Sequence, residues 1–332
     1  MREYDESDAK VRPNPRGNRP RSKQRPSHDE AVEGFVTAVD RGRFQVAGLG
    51  SGTTVTAVKA RELGRRGIVV GDRVSVVGDT SGDDGALARI VRRGERERAL
   101  RRSADDADDT ERVVVANADT LAIVAALANP EPNRRFIDRC LVAAFDAGLD
   151  AMIVATKADL ASPEALAANY RPLGVPVVPT RVAPAGIDGL DALRDACRDR
   201  TTVLVGSSGV GKSTLVNALV PDALRATGHV NAVTGRGRHT STSAIAFELP
   251  GGGWIVDTPG IRSFGLAHVN PDHFVHAFAD VADAADECPR GCTHESAEAG
   301  CALDAWAVTP DRAERLDSIR RLIASRSAAE SQ

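Results

Sequence analysis

The residues Gly206-Ser207-Ser208-Gly209-Val210-Gly211-Lys212-Ser213-Thr214 have the spacing that grips a phosphate chain: a glycine, four free positions, then Gly-Lys-Ser. Such a loop turns successive backbone N–H groups inward onto phosphate oxygens. Lys212 adds a point charge for the β- and γ-phosphates, and the Ser213 hydroxyl is placed to ligate Mg²⁺. The apolar run Thr201–Val205 before the loop predicts a buried strand. Leu215–Val220 after it predicts a helix, whose N-terminus adds positive dipole at the same place. The chemistry these residues can do is nucleoside triphosphate binding.

Two further motifs narrow the ligand. Thr156-Lys157-Ala158-Asp159 follows the apolar run Ala151–Ala155 and resembles a guanine-reading motif, usually Asn-Lys-x-Asp. The Asp159 carboxylate can accept from guanine N1–H and from the 2-amino group, donors that adenine lacks, while the Lys157 stem covers the base plane. A buried acceptor left unpaired costs about 1–3 kcal/mol, ample for selection. Thr156 departs from the usual Asn and has fewer hydrogen-bonding groups. Asp257-Thr258-Pro259-Gly260 is a strand-end carboxylate before a sharp turn, suited to hold Mg²⁺ and sense a γ-phosphate.

Hydrolysis also needs a group that orients water. Many GTPases place Gln after the Asp-x-x-Gly turn; here Ile261 stands there. The polar, glycine-rich loop before it contains Gly237-Arg238-His239-Thr240. Thr240 is expected to sense Mg²⁺ and the γ-phosphate, with Ser241 and Thr242 as substitutes. His239 either orients the water, lies on a solvated loop, or touches RNA.

The order of the motifs is unusual. The base motif at 156–159 precedes the phosphate loop at 206–214, whereas ordinary GTPases have them in reverse, so the domain reads as circularly permuted. The nucleotide-sensing turn at Asp257 then leads straight into the C-terminal region, which γ-phosphate loss would reposition. In that region Cys288, Cys292, His294 and Cys301 form Cys-x₃-Cys-x-His-x₆-Cys. Three thiolates and an imidazole suit a closed, structural, tetrahedral Zn²⁺ site.

The elements that must position these groups follow from patterning. Residues 1–30 are basic and proline-rich with too few apolar groups to fold alone; they read as a basic arm for RNA phosphates or as a solvated tail. Five short alternating runs between Ala31 and Arg93 predict a small barrel of OB type, often an oligonucleotide binder. Arg92, Arg93, Arg96, Arg98, Arg101 and Arg102 follow, either touching RNA or forming a solvated linker. From Arg112, continuous apolar runs such as Thr120–Leu127 alternate with helical spacing, as in a doubly wound sheet with ligands at the strands' carboxyl ends. Cys140 and Cys197 fall on packing faces of predicted helices. Helices near 271–286 and 310–326 are expected at the end, the last with Arg312, Arg315, Arg320 and Arg321 as a basic face turned to rRNA or to solvent.

The expected architecture is multidomain: an arm (1–30), an OB-like β-barrel (31–102), a circularly permuted α/β P-loop GTPase domain (103–267) and a helical zinc-binding domain (268–332). The chain of 332 residues has a formal net charge of −3, so any nucleic-acid contact rests on local patches and not on a global charge excess. Its five cysteines, three of them crowded beside a histidine, point to a metal site in a reducing compartment and not to a disulfide framework. No membrane-spanning run or apolar leader is present, and a cytoplasmic monomer is expected.

The barrel, the permuted motifs and the Cys/His cluster together resemble the RsgA family of small-subunit-dependent GTPases. Ala116-Asn117-Ala118-Asp119, Gly237-Arg238-His239-Thr240 and Asp257-Thr258-Pro259-Gly260-Ile261-Arg262 match the family pattern. The first two Cys–Cys and His–Cys intervals differ from it by one residue each, with the ligand set intact. The resemblance implies GTP hydrolysis late in 30S maturation, stimulated by the subunit, with His239 orienting the water, the arm and barrel contacting rRNA, and GTP, GDP and the 30S particle as partners. Two other readings stay open on the residues alone: a non-catalytic GTP-dependent RNA-binding switch, and a P-loop ATPase.

Overall fold

In the computed structural model the described residues are 28–48, 53–64, 67–102, 112–221, 223, 244–259, 265–266, 269, 274–295 and 300–327. The basic arm lies outside them, apart from its last residues.

The first five strands are β1 (Val32–Asp40), β2 (Arg43–Ala47), β3 (Val55–Lys59), β4 (Arg73–Gly78) and β5 (Ala88–Arg93). They pair β1–β2–β3–β5–β4 and close by β4 returning to β1, with β3–β5 the one parallel pair among these five. This closed five-stranded order is that of an OB-type barrel. Val36, Phe44, Val46, Ala57, Val74, Val76 and Ile90, at alternate positions along their strands, supply its core. Arg41 and Gly42 both have positive φ (45° and 83°), the two-residue turn whose twist suits a hairpin.

The arginine-rich stretch after the barrel is partly built into the fold, with Arg92, Arg98 and Arg101 exposed. It leads into a hairpin of β6 (Ala99–Arg102) and β7 (Arg112–Ala116), with Leu100 and Val115 fully buried. Arg96 forks onto the buried Asp72 carboxylate at 2.7 and 2.8 Å, and Arg98 pairs with Asp119 at 2.9 Å.

The α/β part follows as β8 (Thr120–Ala126), α1 (Arg134–Asp146), β9 (Asp150–Thr156), α2 (Glu164–Tyr170), β10 (Val177–Pro179), the small hairpin β11 (Arg181–Ala183) and β12 (Gly186–Asp188), α3 (Leu190–Cys197), β13 (Thr201–Val205), α4 (Lys212–Leu219), β14 (Ile245–Glu248) and β15 (Trp254–Asp257). The sheet order is β10–β9–β8–β13–β15–β14, parallel except for β14. All seven residues of β8 are buried, as a central parallel strand requires. Helix α1 covers one face through Ile137, Cys140 and Leu141; α3 and α4 cover the other through Leu193, Cys197, Leu215 and Leu219. The Asn133 side chain caps α1 by accepting from Phe136 N–H at 3.0 Å. Strand β14 then pairs with β1 at Ala38 and Ile245, so barrel and α/β sheet form one continuous sheet of eleven strands.

The chain ends with α5 (Ala279–Asp286), α6 (Ala302–Trp306) and α7 (Pro310–Ser327). No described helix is long and apolar enough to cross a membrane. Helix α7 lies against α1 and carries no basic face. At 3.6 residues per turn its four arginines spread round the helix, and each is engaged within the chain. Arg321 reaches Asp138 (3.2 Å) and sits over the Tyr170 ring; Arg315 bonds the Pro172 carbonyl and Asp280; Arg320 forks onto Asp304; Arg312 stacks over Trp306. Arg139 of α1 donates in return to the Ser325 carbonyl at 3.0 Å. Burial raises the Asp138 carboxyl above its usual range and outweighs the opposing pull of Arg321. These arginines fasten α7 to its neighbours, so the four do not form one face, although Arg312 is exposed.

Candidate nucleotide site and metal centre

Strand β13 delivers the phosphate loop between β8 and β15. A Cβ added to Gly206 would sit 2.7 Å from the Val124 carbonyl of β8, so only glycine fits that close approach. Val210 turns its side chain into the core beside α4, and its carbonyl accepts from the Thr156 hydroxyl at 2.6 Å. Thr156 ends β9 and is buried. Two motifs fifty positions apart are thereby tied directly together. Thr156, expected to touch nucleotide, has its hydroxyl on the loop, and a single hydroxyl suffices for that tether.

Lys157 has φ 57° and reaches the Asn129 carbonyl, and Asp159 is exposed on the turn that follows. Beyond β10, Thr180 forms the adjoining wall: its N–H donates to Ala155 and its carbonyl accepts from Ala158 N–H. Sequence reasoning missed Thr180. The available signal was its place just past the apolar run Val175–Val178, at the sheet's carboxyl edge.

Asp257 ends β15, opposite Leu204 in the register, and ion-pairs with Lys212. Buried Thr258 donates to the Leu204 carbonyl at 2.7 Å, pinning the Asp-Thr-Pro turn to the phosphate-loop strand. Ser207 and Ser208 line the loop ahead of Gly209 and Gly211, whose φ values are 79° and 92°, and Ser213 and Thr214 stand exposed in the first turn of α4. His239, Thr240 and Gly260, with Ser241, Thr242 and Ile261, lie outside the described residues. The structure thus brings together Thr156, Lys157, the loop 206–214 and Asp257 at the carboxyl ends of three parallel strands, β9, β13 and β15.

Ala116-Asn117-Ala118-Asp119 lies at the opposite edge. Asn117, at φ 51°, accepts from Glu97 N–H and donates to the Gly71 carbonyl, both at 2.9 Å. Asp119 accepts from Thr201 N–H and from Arg98, each at 2.9 Å. A Cβ on Gly71 would fall 1.9 Å from the Ala116 carbonyl oxygen. Phe35 of the barrel stacks on Trp254 of β15 at 4.8 Å. This motif is the joint between barrel and sheet. A cleft of about 280 Å³ beside it, lined by Arg73, Glu97, Arg98 and Asp199, belongs to that joint and not to the phosphate loop.

The four C-terminal candidates also converge. His294 Nδ1 lies 3.6, 3.6 and 3.7 Å from the sulfurs of Cys288, Cys292 and Cys301, and the Cys288 and Cys301 sulfurs are 3.9 Å apart. A tetrahedral ion with metal–S of about 2.3 Å and metal–N of about 2.0 Å separates its donors by about 3.5–3.8 Å. These four distances are near that spacing and all the donors lie within 4.8 Å of one another, so the set could hold a single small cation. Burial, the largest cause, with the neighbouring cysteines behind it, pushes the Cys288 thiol up to about 11 against the Ala302 N–H.

A model of the RsgA GTPase family matches residues 93–267. A small ribosomal subunit biogenesis GTPase RsgA from Marinobacter nauticus is 40% identical over 242 residues, covering 70% of this chain and 68% of that protein. The protein of the same name from Pseudomonas aeruginosa is 39% identical over 269 residues, covering 78% and 76%. The crystal structure of YjeQ from Thermotoga maritima aligns over 89% of this chain and 99% of its own at a TM-score of 0.61 and 24% identity. That of YloQ, a circularly permuted GTPase, aligns over 92% and 100% at 0.62 and 21%. These two structures share the fold.

Proposed function

This chain belongs to the RsgA GTPase family, and we propose that it hydrolyses GTP late in small ribosomal subunit maturation, bound to the 30S particle through rRNA and accelerated by it. The observation that carries this reading is the Thr156–Val210 hydrogen bond, which seats a base motif against a phosphate loop that follows it in the chain. The names of the relatives supply the subunit as partner.

In this reading Asp159 accepts from guanine N1–H and the 2-amino group, and Lys157 covers the base. Backbone N–H groups from Gly206 to Thr214 cradle the phosphates, Lys212 neutralises β- and γ-oxygens, and Gly260 senses the γ-phosphate. Ser213, Asp257 and Thr240 would hold Mg²⁺, which supplies charge neutralisation when bound. His239 orients a water whose oxygen bonds to the γ-phosphorus as the bond to the bridging oxygen breaks, leaving GDP and phosphate. Cys288, Cys292, His294 and Cys301 hold one structural Zn²⁺. The arm and barrel are the rRNA-facing parts, and the protein works as a cytoplasmic monomer.

Multiple-turnover GTP hydrolysis with and without purified 30S subunits tests the reading. Faster turnover with subunits is expected; none in either condition makes the protein a non-catalytic switch, and equal competition by ATP overturns the guanine assignment. His239→Ala should lower stimulated turnover about 10- to 1,000-fold with GTP affinity unchanged. Unchanged turnover removes His239 from the mechanism.

A further inference from the structure

The zinc reading leaves open what holds the ligand loop in shape. His294 is buried and has φ 58°, a left-handed backbone that is uncommon for a residue bearing a side chain. Yet that conformation aims Nδ1 at all three sulfurs. Arg320 of α7 touches the His294 backbone: its Nε donates to the His294 carbonyl at 3.2 Å. Arg320 is itself held: its two terminal nitrogens fork onto Asp304 of α6 at 2.8 and 2.9 Å, and its side chain is only 17% exposed. Asp304 lies three residues after the ligand Cys301, so the fork closes a ring from one ligand to another through α7.

We propose that Arg320, clamped by Asp304, is the outer-shell positioning residue of the metal centre, fixing the His294 backbone so that the Cys₃His set is pre-formed and retains its ion. The inference rests on the zinc reading above. The placement also explains why Arg and not Lys: one planar head makes a fork to a carboxylate and a third bond to a carbonyl in fixed directions.

The test follows metal retention and not turnover. Purified full-length protein is first assayed for bound zinc; less than half an equivalent in the parent overturns the zinc reading itself. Release to a chromogenic chelator is then timed for the parent, Arg320→Ala, Arg320→Lys, Asp304→Asn and Arg312→Ala. Outer-shell losses typically weaken metal binding 10- to 100-fold. Release from Arg320→Ala should quicken by about that factor, with Asp304→Asn and Arg320→Lys between it and the parent and Arg312→Ala unchanged. GTP-analogue binding reports that each variant is folded. If Arg320→Ala does not fold, Asp304→Asn, which keeps the arginine, carries the test. A loaded parent with release from Arg320→Ala and Asp304→Asn within twofold of it overturns the proposal.

Discussion

The two edges of the central sheet are built on opposite plans. At the carboxyl edge the strands end in loops joined by a few single contacts: Thr156 to Val210, Thr258 to Leu204, Lys212 to Asp257. At the amino edge Gly71, Asn117, Asp119 and Arg98 form a connected set of contacts at the joint between barrel and sheet, where a Cβ on Gly71 would fall 1.9 Å from the Ala116 carbonyl oxygen. One end is free to exchange partners with a ligand; the other holds the frame against which that exchange is registered. A motif matching the family pattern therefore need not be chemical, since Ala116–Asp119 serves the frame.

Substitutions at each edge test this contrast. Gly71→Ala should have the largest effect. Its Cβ meets a carbonyl oxygen at 1.9 Å in a backbone of φ 90°, so a loss of about 4 kcal/mol is expected in denaturant unfolding. A loss below about 1 kcal/mol would show that the joint yields. Asp159→Asn, at the other edge, should leave unfolding unchanged while GTP affinity falls at least about tenfold and the preference over ATP shrinks. Equal affinity for GTP in titration calorimetry would take base reading away from Asp159. Thr156→Val strands the buried Val210 carbonyl and should cost about 1–3 kcal/mol, seen both in unfolding and in GTP affinity, with Thr156→Ser restoring most of it. An effect on unfolding alone would make the tether part of the frame. Arg98→Ala removes a half-exposed ion pair and should cost about 0–1 kcal/mol in thermal unfolding. A larger loss would mean that the pair, and not the close packing of Gly71, holds the joint.

The carboxyl edge was the legible one. Its motifs are short, contiguous and chemically specific, and a strand such as Thr120–Ala126 declares itself by seven buried residues in a row. Their order alone revealed the permutation. The barrel was equally plain, because alternation is a local property. The joint was not, since Asn117 acts on Gly71 and Asp119 on Thr201, partners far apart in the chain. The arginines of α7 misled for the same reason: charge is visible in a sequence, but Asp138, Pro172 and Asp304 as partners are not. Thr180 was overlooked because its part in the site is played by backbone atoms, which any residue type supplies.

The continuous sheet has a consequence for synthesis. The barrel's strands emerge first, but β1 meets β14 at Ile245, more than two hundred residues after Ala38. Until that segment leaves the ribosome, this end of β1 is an open edge with unsatisfied N–H and C=O groups, next to a Phe35 ring still without Trp254. A nascent chain stalled before residue 245 therefore carries a sticky barrel, and completing the GTPase sheet is what seals it. Truncations that keep the barrel alone inherit that exposed edge.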